Sequence, residues 1–125
     1  MNKYNHQKLY ENKPLKTIML DNKIFKKLIN SDLEEIDYIH LSFNKNLNKK
    51  QMEYLFKLKI DNVNINLLRN KNCPKIEIEN FLSLNDKIYN IAIAHNTNLT
   101  QKHIDTLLKT EDKDINMSLQ FSGLL

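Results

Sequence analysis

The feature that most constrains this chain is a repeat of 26 residues. Asn44, Asn70 and Asn96 stand 26 residues apart, and the apolar positions around each of them follow one arrangement. Four apolar columns recur in three copies: Leu47, Cys73 and Leu99; Met52, Ile78 and Ile104; Leu55, Phe81 and Leu107; Phe56, Leu82 and Leu108. Units of this length bury their apolar faces only by stacking on neighbours, so the pattern predicts a repeat protein that presents a surface to a partner.

The segment before each repeated asparagine favours a β-strand. In every copy a polar or small residue stands between two apolar residues. The apolar pairs are Ile39 and Leu41, Ile65 and Leu67, Ile91 and Ile93, and Met117 and Leu119. Such alternation is typical of a half-buried strand, and asparagine inside a helix, as at Asn64 and Asn66, is unfavourable. We therefore expect about five strands, of which the first holds Leu15, Ile18 and Leu20 and the last runs from Ile115 to Gln120.

The segment after each asparagine favours an α-helix. Its apolar residues are three and four positions apart, as in Met52, Leu55 and Phe56, which places them on one stripe of a helix. The predicted starts are Asn48 with Gln51 as a capping box, Pro74 in a first turn, and Thr100 as an N-cap. Each unit is thus predicted to be a strand, a turn, a helix and a return segment.

This order of residues resembles a leucine-rich repeat. The pattern Leu-x-x-Leu-x-Leu-x-x-Asn-x-x-Leu is matched by two sets, Ile36, Ile39, Leu41, Asn44 and Leu47, then Ile88, Ile91, Ile93, Asn96 and Leu99. The copies are similar to the ribonuclease-inhibitor-like and cysteine-containing subclasses, although Asn62 and Asp114 stand where the family prefers Leu.

The resemblance implies an α/β fold. It would be a short horseshoe-shaped solenoid over residues 15–125, with a parallel concave sheet and convex helices, after an N-terminal cap at residues 1–14. The alternative is an all-α solenoid, either the helical variant of the leucine-rich repeat or a HEAT-like one. That alternative would gain core positions from Val63, Tyr89 and Ile115.

The repeated asparagines are expected to be structural. A buried asparagine side chain offers both a donor and an acceptor to backbone groups where the chain turns, and the asparagine ladder of the resembled family implies the same role for Asn44, Asn70 and Asn96. Asn46, Asn72 and Asn98 are predicted turn residues that tolerate strained backbone angles.

Binding is expected on strand side chains that point away from the core, because successive strand residues alternate between faces. The predicted partner-binding residues are Tyr38, His40, Asn64, Asn66, Arg69, Asn90, His95 and Asn116. We expect a non-catalytic module that holds a protein or peptide there, such as an inhibitor or an adaptor, an analogy that rests on fold likeness.

The net charge of +4 comes from 18 lysines and a single arginine against 15 acidic residues. The predicted helices carry lysines interspersed with acids: Lys49, Lys50, Lys57, Lys75, Lys102 and Lys109 with Glu53, Glu77, Glu79 and Asp105. A mixed face of this kind is typical of a solvated helix and argues against nucleic acid as the main partner. Binding of nucleic acid by these convex helices is the alternative function.

Catalysis, cofactors and metals are not expected. No motif joins the candidate groups His6, His40, His95, His103 and Cys73, and a chain with one glycine has no phosphate-cradling loop. A single cysteine forms neither an internal disulfide nor a metal cluster.

We expect a cytoplasmic protein without a membrane segment. The N-terminal stretch has no apolar core of the signal-peptide kind, and the longest aliphatic run, residues 91–94, is far too short to cross a bilayer. Ser122 and Leu125 continue two repeat columns, so we also expect an uncapped final strand that docks onto a second copy or another chain.

Overall fold

A computed structural model describes residues 14–125, which form eight α-helices and no β-strand. The helices are α1 (Asn22–Ile29), α2 (Glu35–Ser42), α3 (Lys49–Phe56), α4 (Asp61–Leu68), α5 (Lys75–Leu82), α6 (Lys87–Ala94), α7 (Gln101–Leu108) and α8 (Lys113–Phe121). The predicted α/β fold with a parallel sheet is therefore wrong, and the leucine-rich repeat assignment loses its main support. The all-α alternative gave the correct secondary structure.

Each 26-residue repeat is a pair of short helices. We call α1, α3, α5 and α7 the A helices, and α2, α4, α6 and α8, which end just before the repeated asparagine position, the B helices. The B helices begin at residues 35, 61, 87 and 113, and α3, α5 and α7 begin at 49, 75 and 101. The sequence repeat and the structural repeat therefore have the same period.

The strands were predicted from the wrong periodicity. Each predicted strand held two apolar residues that should both be buried. The second of them is fully buried, as at Leu67, Ile93 and Leu119. The first, two residues earlier, is only half-buried or, at Met117, 52% exposed. The buried residues instead follow the helical spacing, because Ile115 and Leu119 lie four residues apart on one stripe. Tertiary packing of that stripe outweighs the poor helix propensity of the intervening asparagines.

The predicted first strand is also absent. Leu15, Ile18 and Leu20 are buried as expected, but residues 15–18 form turns rather than an extended segment. The predicted N-terminal cap lies outside the described residues apart from Pro14.

The predicted helix starts in the A helices are confirmed. Asn48 and Gln51 exchange side-chain to backbone hydrogen bonds of 2.8 and 2.9 Å across the first turn of α3. The Thr100 hydroxyl likewise accepts from the backbone N–H of His103, and His103 Nδ1 accepts from the backbone N–H of Thr100. Pro74 was predicted in a first turn and is instead the N-cap of α5, one position earlier. Local capping chemistry thus fixes where these helices begin.

Each A helix from α3 onward is followed by one residue in the left-handed region. These residues are Lys59, Asn85 and Glu111, with φ of 57°, 51° and 54°. Asn46, Asn72 and Asn98 lie near the other turn, as predicted, but they are not among the residues with positive φ, so the predicted strain there was wrong.

The chain divides into two compact units, the first ending at Asn64 and the second running from Ile65 to Leu125. In the described part of the first unit, α1, α2 and α3 surround a core that includes Phe25, Leu28, Leu41, Met52 and Leu55. Asn44 is fully buried there, and its Nδ2 donates to the carbonyls of Leu15 and Ile18 at 2.9 and 2.7 Å.

The second unit repeats this construction. Helices of the same class pack on each other, α5 on α7 and α6 on α8, around a core that includes Ile78, Ile93, Leu107 and Leu119. Asn96 is fully buried, and its Nδ2 donates to the carbonyls of Leu68 and Asn70, each at 2.9 Å. The expectation that the repeated asparagines are structural is confirmed for Asn44 and Asn96, now at the ends of helices.

Candidate functional site

The predicted partner-binding residues all lie on or next to B helices, and the structure does not gather them on one exposed face. Asn64 and Asn90 are buried, and Tyr38, His40, Asn66, His95 and Asn116 are partly buried, whereas Arg69 is exposed. The concave sheet that was to display them does not exist in residues 14–125, so the physical basis for that surface is lost.

A column of asparagines inside the B helices carries acceptors without partners. The side-chain Oδ1 atoms of Asn64, Asn90 and Asn116 are buried and accept no hydrogen bond from the described protein atoms. The three positions are 26 residues apart, so this is a feature of the repeat. Because these oxygen atoms are shielded from solvent, they cannot contact a docked partner directly, and internal water is the fitting donor.

Two of the predicted residues interact electrostatically. Partial burial lowers the pKa of His95, and the nearby positive charge of Arg69 lowers it further. His95 therefore favours its neutral form. In the first unit, partial burial raises the pKa of Tyr38, and Tyr54, Asp32 and Asp37 add to that effect.

The first unit concentrates lysines on its A helices. Five lysines lie within α1 and α3, namely Lys23, Lys26, Lys27, Lys49 and Lys50, and all five are exposed. Glu53 is the one acidic residue within these two helices. Three of the seven acidic residues of the described first unit, Glu34, Glu35 and Asp37, occupy the N-cap and first turn of α2, whereas Asp21 is the N-cap of α1. The charged side chains within α1 and α3 are thus mostly positive, and an acidic cluster begins α2.

Hydrogen bonds hold the N-terminal ends of α1 and α3 side by side. Asn48 Nδ2 donates to Asn22 Oδ1 at 3.0 Å, and Gln51 Nε2 donates to the Leu20 carbonyl at 3.3 Å. Lys23 lies in the first turn of α1, and Lys49 and Lys50 lie in the first turn of α3. Three lysines are therefore brought to one end of the helix pair.

These three lysines work against helix stability. The N-terminal end of a helix carries a partial positive charge, so a cation in the first turn is unfavourable by about 0.3–1 kcal/mol. An acid or a neutral residue would stabilise the helix better at Lys23, Lys49 and Lys50. The Asp21 carboxylate already caps α1, where it accepts from the Ile24 N–H, but the three lysines beside the two helix N-termini outnumber it and leave a positive potential that suits an anion.

An aromatic ring stands on the same helix. Tyr54 of α3 follows Lys50 by four residues, so both lie on one helix face, and the ring is 37% exposed. It packs edge to face with Phe25 of α1, with ring centroids 6.0 Å apart and planes at 90°. Phe25 thereby supports Tyr54 while part of Tyr54 stays open to solvent.

The corresponding helices of the second unit have a different surface. Within α5 and α7 there are two lysines, Lys75 and Lys102, and three acids, Glu77, Glu79 and Asp105. A shallow groove between these helices is lined by Glu79, Leu82, Ser83, Lys102, His103 and Thr106. His103 is buried there and its Nε2 lies 3.2 Å from Glu79 Oε2. Because Nδ1 accepts from the Thr100 N–H, Nε2 is the ring donor, and the contact reinforces the cap.

Other chemistry-bearing groups give no second site. Cys73 is buried in the repeat column that also holds Leu47, and burial raises the pKa of its thiol to about 12, so it is a packing residue. Within residues 14–125 no three His, Cys, Asp or Glu side chains are grouped so as to hold a metal ion. None of the helices in the same part of the chain is both long enough and apolar enough to traverse a bilayer.

Comparison of the chain with protein-family models, with curated proteins and with solved structures finds no match in any of the three. The suspected membership of the leucine-rich repeat family is therefore corrected on two grounds, the absence of strands in residues 14–125 and the absence of a matching family model.

The sequence reasoning placed Lys49 and Lys50 on a helix but missed the rest of the lysine cluster. Residues 22–29 lie before the first clear asparagine repeat, so Lys23, Lys26 and Lys27 were not assigned to a helix. The signal that could have found them is the KIFKKLI run, in which Phe25 and Leu28 are three residues apart and lysines occupy the positions between.

Proposed function

We propose that this protein binds single-stranded nucleic acid through the lysines of α1 and α3. The observation that supports this most is the charge within α1 and α3, where five exposed lysines stand against the single acid Glu53, while three other acids begin α2. The described first unit has nine lysines against seven acidic residues, whereas the second unit has seven basic and seven acidic residues. An average over the whole chain hides this difference.

The cluster is suited to phosphate rather than to base edges. Lysine is a compact point charge on a flexible stem, and it lacks the planar fork by which arginine recognises guanine edges. Binding through Lys23, Lys49 and Lys50 would therefore follow the backbone of the strand and depend weakly on its sequence. The affinity would fall steeply as salt rises, because each neutralised phosphate releases counterions.

Tyr54 favours a single strand over a duplex. Proteins that hold single strands combine a positive surface with aromatic side chains on which unstacked bases stack, and each such contact contributes about 1–3 kcal/mol. In a duplex the bases are already stacked on one another, so Tyr54 would add little. The exposed Tyr54 ring on the same helix face as Lys50 thus favours single-stranded nucleic acid as the ligand.

The test compares two triple variants of equal charge. In the first, Lys23, Lys49 and Lys50 become Gln; in the control, Lys71, Lys102 and Lys109 of the second unit become Gln, and all six residues are exposed. Binding of a fluorescent oligouridylate of about 12 nucleotides is followed by anisotropy between low and moderate salt.

The first variant is expected to weaken binding by a factor on the order of 100 at 0.1 M salt and to reduce the slope of log K against log salt by about 2. The control variant is expected to change affinity much less. Since the three lysines oppose the helix dipoles, their replacement should leave stability unchanged or slightly raised. Equal losses of affinity in both variants, or no binding of the oligonucleotide by the wild-type protein at low salt, would refute the proposal.

A protein or peptide ligand, held by an inhibitor or adaptor module, is the second candidate function. The observation in its favour is the pair of exposed apolar residues on and after α2, Ile36 and Phe43, which are 49% and 47% exposed. Lys16 lies 5.1 Å from the centre of the Phe43 ring and shields part of it. A captured protein partner whose binding is lost in Phe43→Ala, and kept in the first lysine variant, would favour this candidate.

A further inference from the structure

The cap of α7 contains a titratable residue as one of its hydrogen-bonding groups. His103 is 2% exposed, and its Nδ1 accepts from the backbone N–H of Thr100 at 3.3 Å. The backbone N–H of His103 donates to the Thr100 hydroxyl at 3.2 Å, which completes the capping box. An imidazole nitrogen accepts a hydrogen bond only when it carries no proton, so this cap requires the neutral ring.

The equivalent cap of α3 has no such requirement. Asn48 and Gln51 occupy the same two positions two repeats earlier, and the backbone N–H of Asn48 donates to Gln51 Oε1 at 2.9 Å. Gln51 is buried, as His103 is. An amide oxygen remains an acceptor between about pH 5 and pH 8, whereas imidazole is the side chain that ordinarily gains its proton in this range. The two caps therefore differ in their expected response to acid.

Few charged groups face the His103 ring. Its Nε2 lies 3.2 Å from Glu79 Oε2 of α5, and Lys102 of α7 is the other charged residue that lines the groove beside it. Among the described residues, no charged residue of α6 or α8 lines that groove. The Glu79 side chain is 53% exposed, so water and salt screen its attraction for a charged ring.

A proton on Nδ1 works against the cap for three reasons. It points a second donor at the Thr100 N–H, it places a positive charge in a buried position, and it adds that charge to the positive end of a helix. The contact with Glu79 does not oppose opening of the cap, because it is made through Nε2. The ring can therefore keep Glu79 as a partner when its bond to Thr100 is lost.

We propose that α7 has a pH-sensitive cap, in which protonation of His103 breaks the bond to Thr100 and opens the first turn of the helix. In mild acid the imidazolium stays paired with Glu79, and the Thr100 N–H donates to water instead. The equivalent turn of α3 stays closed over the same range. This cap lies in the second unit and involves no nucleic acid, so it is independent of the proposed function.

The test is an NMR titration of ¹⁵N-labelled protein from about pH 8 to pH 5. The Thr100 amide proton is expected to shift upfield with the midpoint of the His103 ring signals, because it loses its hydrogen bond. The Ile104 N–H, which donates to the Thr100 carbonyl, should lose about fivefold of its protection from hydrogen exchange, after correction for the intrinsic effect of pH. The Asn48 amide signal of the α3 cap should stay in place.

His103→Gln is the matched control, because it gives α7 the acceptor that α3 has at Gln51. The Thr100 signal of this variant is expected to stay constant across the titration. The proposal is overturned if the wild-type ring gains a proton without a change at Thr100, if the ring gains none above about pH 5, or if Thr100 shifts equally in the variant. Should the variant not fold, the comparison of Thr100 with Asn48 in the wild-type protein decides the question alone.

Discussion

The two units of this protein are each built on the same pattern of buried residues and differ in their surfaces. Leu41 in the first unit and Ile93 in the second occupy the same repeat column, and both are completely buried. Asn44 and Asn96 also share a column, and each makes two side-chain hydrogen bonds to backbone carbonyls. The charged residues of the A helices, by contrast, are mostly lysines in the first unit and are of both signs in the second.

This comparison separates two kinds of constraint. The buried columns must keep their size and polarity because close-packed interiors tolerate little change in volume. Exposed positions on a helix contribute little to stability, so they are free to acquire a charge pattern that serves binding. The same scaffold can then carry an anion-binding surface in one unit and a neutral one in the other.

The largest expected effect is a loss of stability when the shared core column is truncated. Leu41→Ala and Ile93→Ala should each lower the free energy of unfolding by about 2–5 kcal/mol, because each removes fully buried side-chain atoms and leaves a cavity. Urea denaturation followed by circular dichroism measures both. An exposed truncation, Ile76→Ala, should cost far less, and a negligible loss in either core variant would break the equivalence of the two units.

A somewhat smaller loss is expected when the asparagine column is altered. Asn44→Ala and Asn96→Ala should each cost about 2–3 kcal/mol, since each removes two hydrogen bonds from a fully buried side chain to backbone carbonyls. Ser122 takes the same column position after α8, and its hydroxyl donates to the Ala94 carbonyl at 2.8 Å. Ser122→Ala, with fewer bonds to lose at a more exposed site, should cost about 1 kcal/mol. The same denaturation experiment ranks the three, and a Ser122 variant as damaged as the asparagine variants would contradict the assignment.

Removal of the helix caps is expected to cost about 1 kcal/mol in either unit. Asn48 caps α3 in the first unit and Thr100 caps α7 in the second, each by accepting from a backbone N–H of the first turn. Asn48→Ala and Thr100→Ala should therefore both lower stability, the first slightly more because Asn48 Nδ2 also donates to Asn22 Oδ1. Thermal unfolding measures the change, and Thr106→Ala on the exposed side of α7 is the matched control. A much larger loss at one cap would show that its helix is the weaker one.

The smallest predicted effect is a gain in the free energy of unfolding when a residue of positive φ is replaced by glycine. Lys59 in the first unit and Glu111 in the second have φ of 57° and 54°, a conformation that costs a residue with a Cβ roughly 1 kcal/mol relative to glycine. Lys59→Gly and Glu111→Gly should each stabilise the protein by up to about 1 kcal/mol. Gly123, with φ of 73°, should show the reverse when changed to Ala. Destabilisation by either glycine variant would refute the assigned backbone conformation.

Much of the local structure could be predicted from the sequence, but the fold class could not. The A helices could be predicted from the spacing of Met52, Leu55 and Phe56 and from capping residues, because both are short-range signals. The B helices are no shorter than the A helices, but the apolar residues two positions apart before each repeated asparagine imitate the alternation of a strand. Ile65 and Leu67 look equivalent in sequence, and only packing reveals that one is half-buried and the other is core.

The predicted binding surface failed for the same reason. A strand displays every second residue, so Asn64 and Asn66 were placed on one face; in a helix they lie on different sides, and Asn64 is buried. The lysine surface was hidden by a different effect. It depends on α1 and α3 lying side by side through Asn22 and Asn48, a contact that spans 26 residues of sequence.

The central claim is that the first unit binds anionic strands and the second does not. Its most direct test is a titration of ¹⁵N-labelled protein with the same oligouridylate, followed through the backbone amide signals. The account predicts that shift changes concentrate on Lys23, Lys49, Lys50 and Tyr54, while the signals of α5 and α7 stay in place. Changes centred on α5 and α7, or none at saturating oligonucleotide and low salt, would contradict it.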